Sequence, residues 1–211
     1  IDLEERISKY AKFNKMLLMG ILIIGAILRL TKLDIYPAGV HVDEAFAGYE
    51  AYSILQNGVD SWGYHNPVYF ISWGSGMNVL ESYLMLPFVA VLGLSEWAIR
   101  LPQAIMSVIS IYVFYKILNK VKNEKLGIIG AFVMAICPWH YMLSRWGLES
   151  NLCLSMILLA SWFFILAKEG FESKEDAKNS KKSFYLILSA FFFGLDLYCY
   201  AATWIHIAVI I

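Results

Sequence analysis

Met77-Asn-Val-Leu-Glu81-Ser-Tyr-Leu-Met-Leu-Pro87-Phe-Val-Ala-Val-Leu-Gly-Leu94 is the stretch on which the topology turns. It is apolar enough to suggest a membrane span. Yet it falls short of the ~20 residues a helix needs to cross a bilayer. It also carries Glu81 and Pro87, and Trp73-Gly-Ser-Gly76 runs into it. Charge bias decides between the two readings. If 77–94 does not cross, the inside segments are the N-terminus, the 116–125 loop and the 168–182 loop, and they hold 13 of the 17 basic residues. Only Arg29, Lys32, Arg100 and Arg145 then lie outside. If it does cross, both Lys-rich loops land outside, against the positive-inside rule. The stretch is therefore read as a helix resting at or dipping into the outer interface.

Working outward, the other apolar blocks are 16–33, 97–115, 126–143, 152–167 and 184–211. The chain of 211 residues is 59% hydrophobic and 16% charged, where a soluble domain carries roughly a quarter charged residues. The expected fold class is an all-α polytopic membrane protein. Its spans are placed at about 13–33, 97–116, 126–143, 152–168 and 184–199, with a truncated last one at 204–211. The outer loop 34–95 is expected to hold interfacial helices at about 43–57 and 77–93, and 168–182 is expected to be a solvated loop. The ending inside an apolar run reads as part of something longer. Met16–Leu28 follows basic residues like a signal peptide, but Arg29-Leu-Thr-Lys-Leu-Asp34 succeeds it without a small-residue cleavage site, so a retained first span is expected. Lys15 and Arg29 are expected to snorkel toward opposite interfaces. The zero net charge gives no sign of a nucleic-acid partner. Cys137, Cys153 and Cys199 lack metal-ligand spacing and read as small packing residues.

Two polar clusters fall on the same side of this map. The first is Tyr36-Pro-Ala-Gly-Val-His41-Val-Asp43-Glu44, continuing to Glu50. Pro37 and Gly39 turn the approach, a helical pattern starts at Asp43, and Asn57-Gly58 is a stop signal. An N-cap and a first-turn acid are the bland reading of Asp43 and Glu44. The functional one is a general base toward a hydroxyl, or a divalent-cation ligand. The second cluster is Trp139-His140 through Ser144-Arg145 to Glu149-Ser-Asn151, where Arg145 and Glu149 have the spacing of a helical ion pair. Arg100 heads the next span as either a snorkelling anchor or a phosphate clamp. His41, His65, Asn151 and Asp196 are further site candidates. Acids and arginines on one leaflet face suit a substrate with a lipid tail and a phosphate head.

The ordered set of Asp43-Glu44, Pro67-Val-Tyr69 through Trp73-Gly-Ser-Gly76 to Leu86-Pro87, Arg100-Leu-Pro102, and Pro138-Trp-His140 to Glu149-Ser-Asn151 resembles the start of a GT-C-fold glycosyltransferase. The nearest type is the protein-mannosyltransferase and aminoarabinose-transferase-like group, which uses polyprenyl-phosphate sugars. The resemblance implies a GT-C-like helical bundle with Asp43 catalytic and Glu44 its partner. It places Glu149 at the second acidic position and makes Arg100, with Arg145, the binder of the donor phosphate. Glu149 stands alone here instead of in an acid-x-acid pair, and Asp196 falls where an uncharged residue is expected.

The implied reaction moves a hexose or pentose from a polyprenyl-phosphate donor to an acceptor hydroxyl at the extracytoplasmic face, with inversion. The N-terminus is expected to be cytoplasmic. The resemblance leaves the sugar and the acceptor (protein, lipid or glycan) open. It leaves a divalent metal open too, with Asp43 and Glu149 as its ligands if one is held. The rival reading is a lipid-linked-saccharide flippase or other transporter. Transporters place ionisable groups near the bilayer midplane in repeated halves, whereas here the charges gather at one interface and no repeat is visible.

Overall fold

The computed structural model describes residues 3–172 and 176–205. The chain is an all-α membrane protein whose only strands form a small hairpin among the described residues. Helix α1 (Leu3–Leu30) is followed by α2 (Val42–Asn57), then by the antiparallel pair β1 (Phe70–Ser72) and β2 (Ser75–Met77). Next come α3 (Leu80–Leu92), α4 (Glu96–Val121), α5 (Glu124–Ile136) and α6 (Pro138–Leu143). A 3-10 turn at Glu149–Leu152 leads into α7 (Cys153–Glu172), and α8 (Asp176–Asp196) completes the order. Three helices are long and apolar enough to cross a membrane, over Lys9–Leu30, Glu96–Val121 and Glu149–Lys168. Ile23, Ile24 and Ile27 of α1 and Phe132 and Val133 of α5 face outward, as apolar side chains do when lipid is the solvent.

Helices α1, α4 and α5 pack as a trio around Ile21, Ile111, Tyr115, Ile128, Ala131 and Ala135. Gly130 lets α5 lie against α4, since a Cβ there would come within 2.2 Å of the Leu118 side chain. At one end of the trio, Asn14 Nδ2 donates to Glu124 at 2.8 Å. At the other end, the close of α1, the start of α4 and the turn after α6 meet. Arg100, early in α4, donates to the carbonyl of Leu33, just after α1. The chain between them thus departs from and returns to the same end. Helix α3, about 20 Å long at 1.5 Å per residue, stays at that end. Asn78, just before it, donates its backbone N–H to Glu149, and Gly93-Leu-Ser95 after it leads directly into α4. A second core of Ala47, Ala51, Phe70, Met77, Met85, Val89, Ala98 and Ile99 fastens α2 and α3 to the head of α4.

Three expectations need correction. The block 126–143 is broken at Cys137-Pro138. Pro138 has no N–H for the carbonyl four residues back, and Arg29 supplies the missing donor to Met134 (3.1 Å) and the neighbouring Ala135 (2.9 Å). Arg29 therefore does not snorkel. It is fully buried and also contacts His140 Nδ1 at 2.7 Å. The stretch 168–182 is largely helical, because α7 runs through Glu172 and α8 starts at Asp176. The segment expected at 204–211 lies outside the described residues from 206 onward.

Candidate active site

Helix α2 starts with a reciprocal cap. The His41 ring accepts from the Asp43 N–H at 3.2 Å, and Glu44 accepts from the His41 N–H at 3.3 Å. His41, not Asp43, is the N-cap. Gly58 closes the helix in the left-handed region (φ 71°) and donates to the Ile54 carbonyl, so the Asn57-Gly58 stop functions as the sequence suggests. Glu50 is buried and holds the following loop by accepting from the Ser61 N–H at 2.8 Å.

Glu44 is fully buried and fully engaged. Besides His41 it accepts from Arg100 Nε at 2.8 Å, Arg100 Nη2 at 3.1 Å and the Gly147 N–H at 3.0 Å. It ties α2, α4 and the turn before Glu149 together and has no lone pair left for a substrate. Arg100 is equally committed. Its remaining N–H groups reach the carbonyls of Leu33 (2.6 Å), Pro37 (3.1 Å) and Gly39. A guanidinium has five N–H donors, and here all five are used. Arg145 donates to the carbonyls of Leu28, Arg29, Thr31, Lys32 and Tyr36. It caps the carbonyls that the end of α1 leaves without helical partners. The expected donor-phosphate role for Arg100 and Arg145 therefore does not fit, since neither has a free N–H to offer a phosphate. Nor does Arg145 pair with Glu149, because residues 144–148 are not helical.

Asp43 is different. Its side chain is 47% exposed, His41 Nδ1 stands 3.6 Å from its carboxylate, and that carboxylate accepts no hydrogen bond from a described residue. Glu149 lies close enough for the charge of Asp43 to bear on it, and its carboxylate is positioned by the Asn78 N–H. The His41 ring lies 6.4 Å from that of Trp146. The structure thus gathers Asp43, Glu44, Glu149 and His41 in one cluster, with Arg100 and Arg145 as its frame.

The other candidates serve elsewhere. Asn151 Nδ2 donates to the Leu143 and Trp146 carbonyls and so shapes the turn that carries Glu149. His65 contacts the Gly58 carbonyl at 3.0 Å within its own loop. Asp196 sits beside Cys153 and Cys199. Among the described residues, the group of three or more side chains able to share a metal ion is Cys153, Asp196 and Cys199.

Two contributors escaped the sequence reading. Gly147 packs so closely on α4 that a Cβ would lie 2.5 Å from the Ile99 carbonyl oxygen. Gly147→Ala is expected to push the turn away from α4, weaken the Gly147–Glu44 hydrogen bond and destabilise the protein by about 1–3 kcal/mol. A thermal shift of the purified variant would show it, and an unshifted midpoint would contradict it. Glu81, in α3, is fully buried with both carboxylate oxygens unpartnered. Burial first, then the charge of Glu44, pushes its carboxyl up to about 8. A carboxyl raised in the fold binds more protons there than in the unfolded chain. Its stabilising contribution is complete below the unfolded value of 4.5 and is lost as pH rises through about 8. Glu81→Gln is expected to flatten the decline in thermal stability between those two values, and an unchanged slope would refute this.

A family model described as dolichyl-phosphate-mannose-protein mannosyltransferase matches residues 77–211. The chain belongs to this family. The match takes in Glu81, Arg100, Arg145, Glu149 and Asp196 and begins after Asp43. No curated protein and no solved structure matches the chain. Membership, with the three apolar helices, makes this an integral membrane protein of a glycosyltransferase family whose donors are polyprenyl-phosphate-linked sugars.

Proposed function

We propose that this mannosyltransferase-family protein moves a sugar from a polyprenyl phosphate to an acceptor hydroxyl at the extracytoplasmic face, with Asp43 as general base. The observation that carries the reading is the contrast between adjacent acids. Glu44 spends every lone pair on the frame, while Asp43 keeps both oxygens free beside Glu149. In the proposed step the acceptor oxygen attacks the anomeric carbon from the face opposite the phosphate. The bond from the anomeric carbon to the phosphate oxygen breaks, and the hydroxyl proton passes to Asp43. The polyprenyl phosphate leaves, and the configuration inverts. Glu149 narrows the site and orients the acceptor. Recognition of the leaving phosphate falls to groups other than Arg100 and Arg145.

A groove lined by Val40, Ala45, Leu94, Ser95, Glu96 and Ile99 runs beside the start of α2. It is mostly apolar and suits the prenyl chain next to Asp43. A second cavity of about 430 Å³ is lined by Val68, Tyr69, Asn78, Leu197, Tyr198 and Trp204. It adjoins the Glu149 support at Asn78, and its aromatic walls suit a sugar ring. The extracytoplasmic assignment rests on the lysine bias of the opposite loops. The test is transfer by the full-length protein in proteoliposomes supplied with radiolabelled polyprenyl-phosphate mannose and a panel of hydroxyl acceptors. Labelled product is expected only when donor and acceptor meet on the face opposite the N-terminus. Movement of the intact lipid-linked sugar across the bilayer without transfer would replace this reading with the transporter.

A further inference from the structure

We propose that Cys153, Asp196 and Cys199 form a zinc-class metal site that fastens the start of α7 to the end of α8. The two thiol sulfurs and a carboxylate oxygen of Asp196 all lie within 4.8 Å of one another. Tetrahedral zinc with two thiolates and a carboxylate sets its donors on the order of 3.5–3.8 Å apart, so closing onto an ion requires only a small contraction. Asp196 is fully buried, and the group set against its carboxylate is the Cys199 thiol, itself one of the three donors, with no other hydrogen-bond donor at either oxygen among the described residues. Glu44, Glu50, Arg100 and Arg145 are also buried and do have partners, and Glu81, the other bare buried carboxylate among the described residues, has no thiols gathered around it as Asp196 does. A bare buried carboxylate is costly unless something neutralises it, and a cation between it and two thiols does so.

The surroundings are built to hold the three donors in place. Cys199 lies on a turn whose N–H groups fold back onto α8, with Cys199 N–H donating to the Asp196 carbonyl at 3.0 Å. Thr203 Oγ1 donates to the same carbonyl at 2.8 Å. The Leu80 N–H, at the head of α3, donates to the Tyr198 carbonyl at 3.2 Å. Glu81 follows, close enough for its charge to bear on Cys199. A disulfide between Cys153 and Cys199 would leave the Asp196 carboxylate without a counter-charge, whereas a metal binds one of its oxygens and neutralises it. Thiolate ligands select zinc-class ions over calcium or magnesium, and binding releases the thiol protons. The turn that carries Glu149 ends at Leu152, directly before Cys153. The site therefore pins the segment behind the second acid of the candidate active site.

The experiment uses the full-length protein purified under reduction, stripped with a chelator and titrated with zinc against a chromogenic competitor. Cobalt is then substituted for zinc. One zinc per chain is expected, with a near-ultraviolet thiolate-to-cobalt charge-transfer band. Cys153→Ser, Cys199→Ser and Asp196→Asn are each expected to weaken binding by more than the roughly 10–100-fold that loss of an outer-sphere partner brings. Cys137→Ser, at the α5–α6 break, should bind like the parent. Should a variant fail to fold, the cobalt spectrum of the parent protein still decides. Absence of the charge-transfer band, unchanged binding in the three variants, or a Cys153–Cys199 disulfide in the intact mass would each overturn the proposal. None of these readouts depends on sugar transfer, so the site stands or falls apart from the catalytic reading.

Discussion

Asp43→Asn in the full-length protein is expected to lower transfer from a polyprenyl-phosphate sugar by about 10²–10⁴-fold, the contribution of a well-placed general base. Thermal stability should be close to that of the parent. The separation of the two effects follows from the local geometry. The cap of α2 uses the His41 ring, the Asp43 backbone N–H and the Glu44 carboxylate. None of these is altered when the Asp43 carboxylate becomes an amide of the same shape. That side chain is half exposed and contributes no hydrogen bond to the frame. The loss should fall on kcat, because the group acts on a proton in transit more than on the bound donor. Glu44→Gln should behave in the opposite way. An amide nitrogen would face Arg100 and the Gly147 N–H, so stability and activity fall together. If Asp43→Asn turned over normally, the general-base assignment would be lost, and Glu149→Gln would be the next variant to measure.

Much of the architecture was readable because it follows from local rules. Apolar runs mark the helices, Asn57-Gly58 ends α2 where a stop signal belongs, and Ser95 and Asn123 cap α4 and α5 through their side chains. The start of α2 was misjudged because histidine is not among the usual cap residues, and Asp43 is the stronger local signal. The arginines were misjudged for a different reason. Arg29, Arg100 and Arg145 donate mostly to backbone carbonyls 61 to 117 residues away. A carbonyl has no signature in the sequence, so nothing local marks where it will be left without a helical partner. Pro138 gives a hint for Arg29, since it frees the carbonyl of Met134. The thiols of Cys153 and Cys199 likewise come together only through the packing of α7 on α8, which no spacing motif encodes.

Arg100→Met is expected to destabilise the protein by about 3–5 kcal/mol, the range for stranding one partner of a buried ion pair. Activity should be lost with the fold. The usual remedy for such a pair is to replace both members with apolar residues of similar volume, which is often neutral. Here that remedy should fail. Arg100 neutralises Glu44, but it also satisfies the carbonyls of Leu33, Pro37 and Gly39. These lie on the stretch that brings the chain from α1 to the start of α2. Removing Glu44 as well would relieve the stranded charge and leave three carbonyls and the N–H groups of His41 and Gly147 without partners, each costing about 1–3 kcal/mol. Arg100→Lys should rescue little, because an ammonium offers three donors from one point where the site uses five in a planar fork. The ordering to be measured by denaturant unfolding in mixed micelles is parent, then the Arg100→Met/Glu44→Leu double variant, then Arg100→Met. A double variant as stable as the parent would mean that the arginine only balances a charge. The predicted shortfall would mean that it fixes the route of the backbone leading to Asp43, and so sets where the proposed base stands.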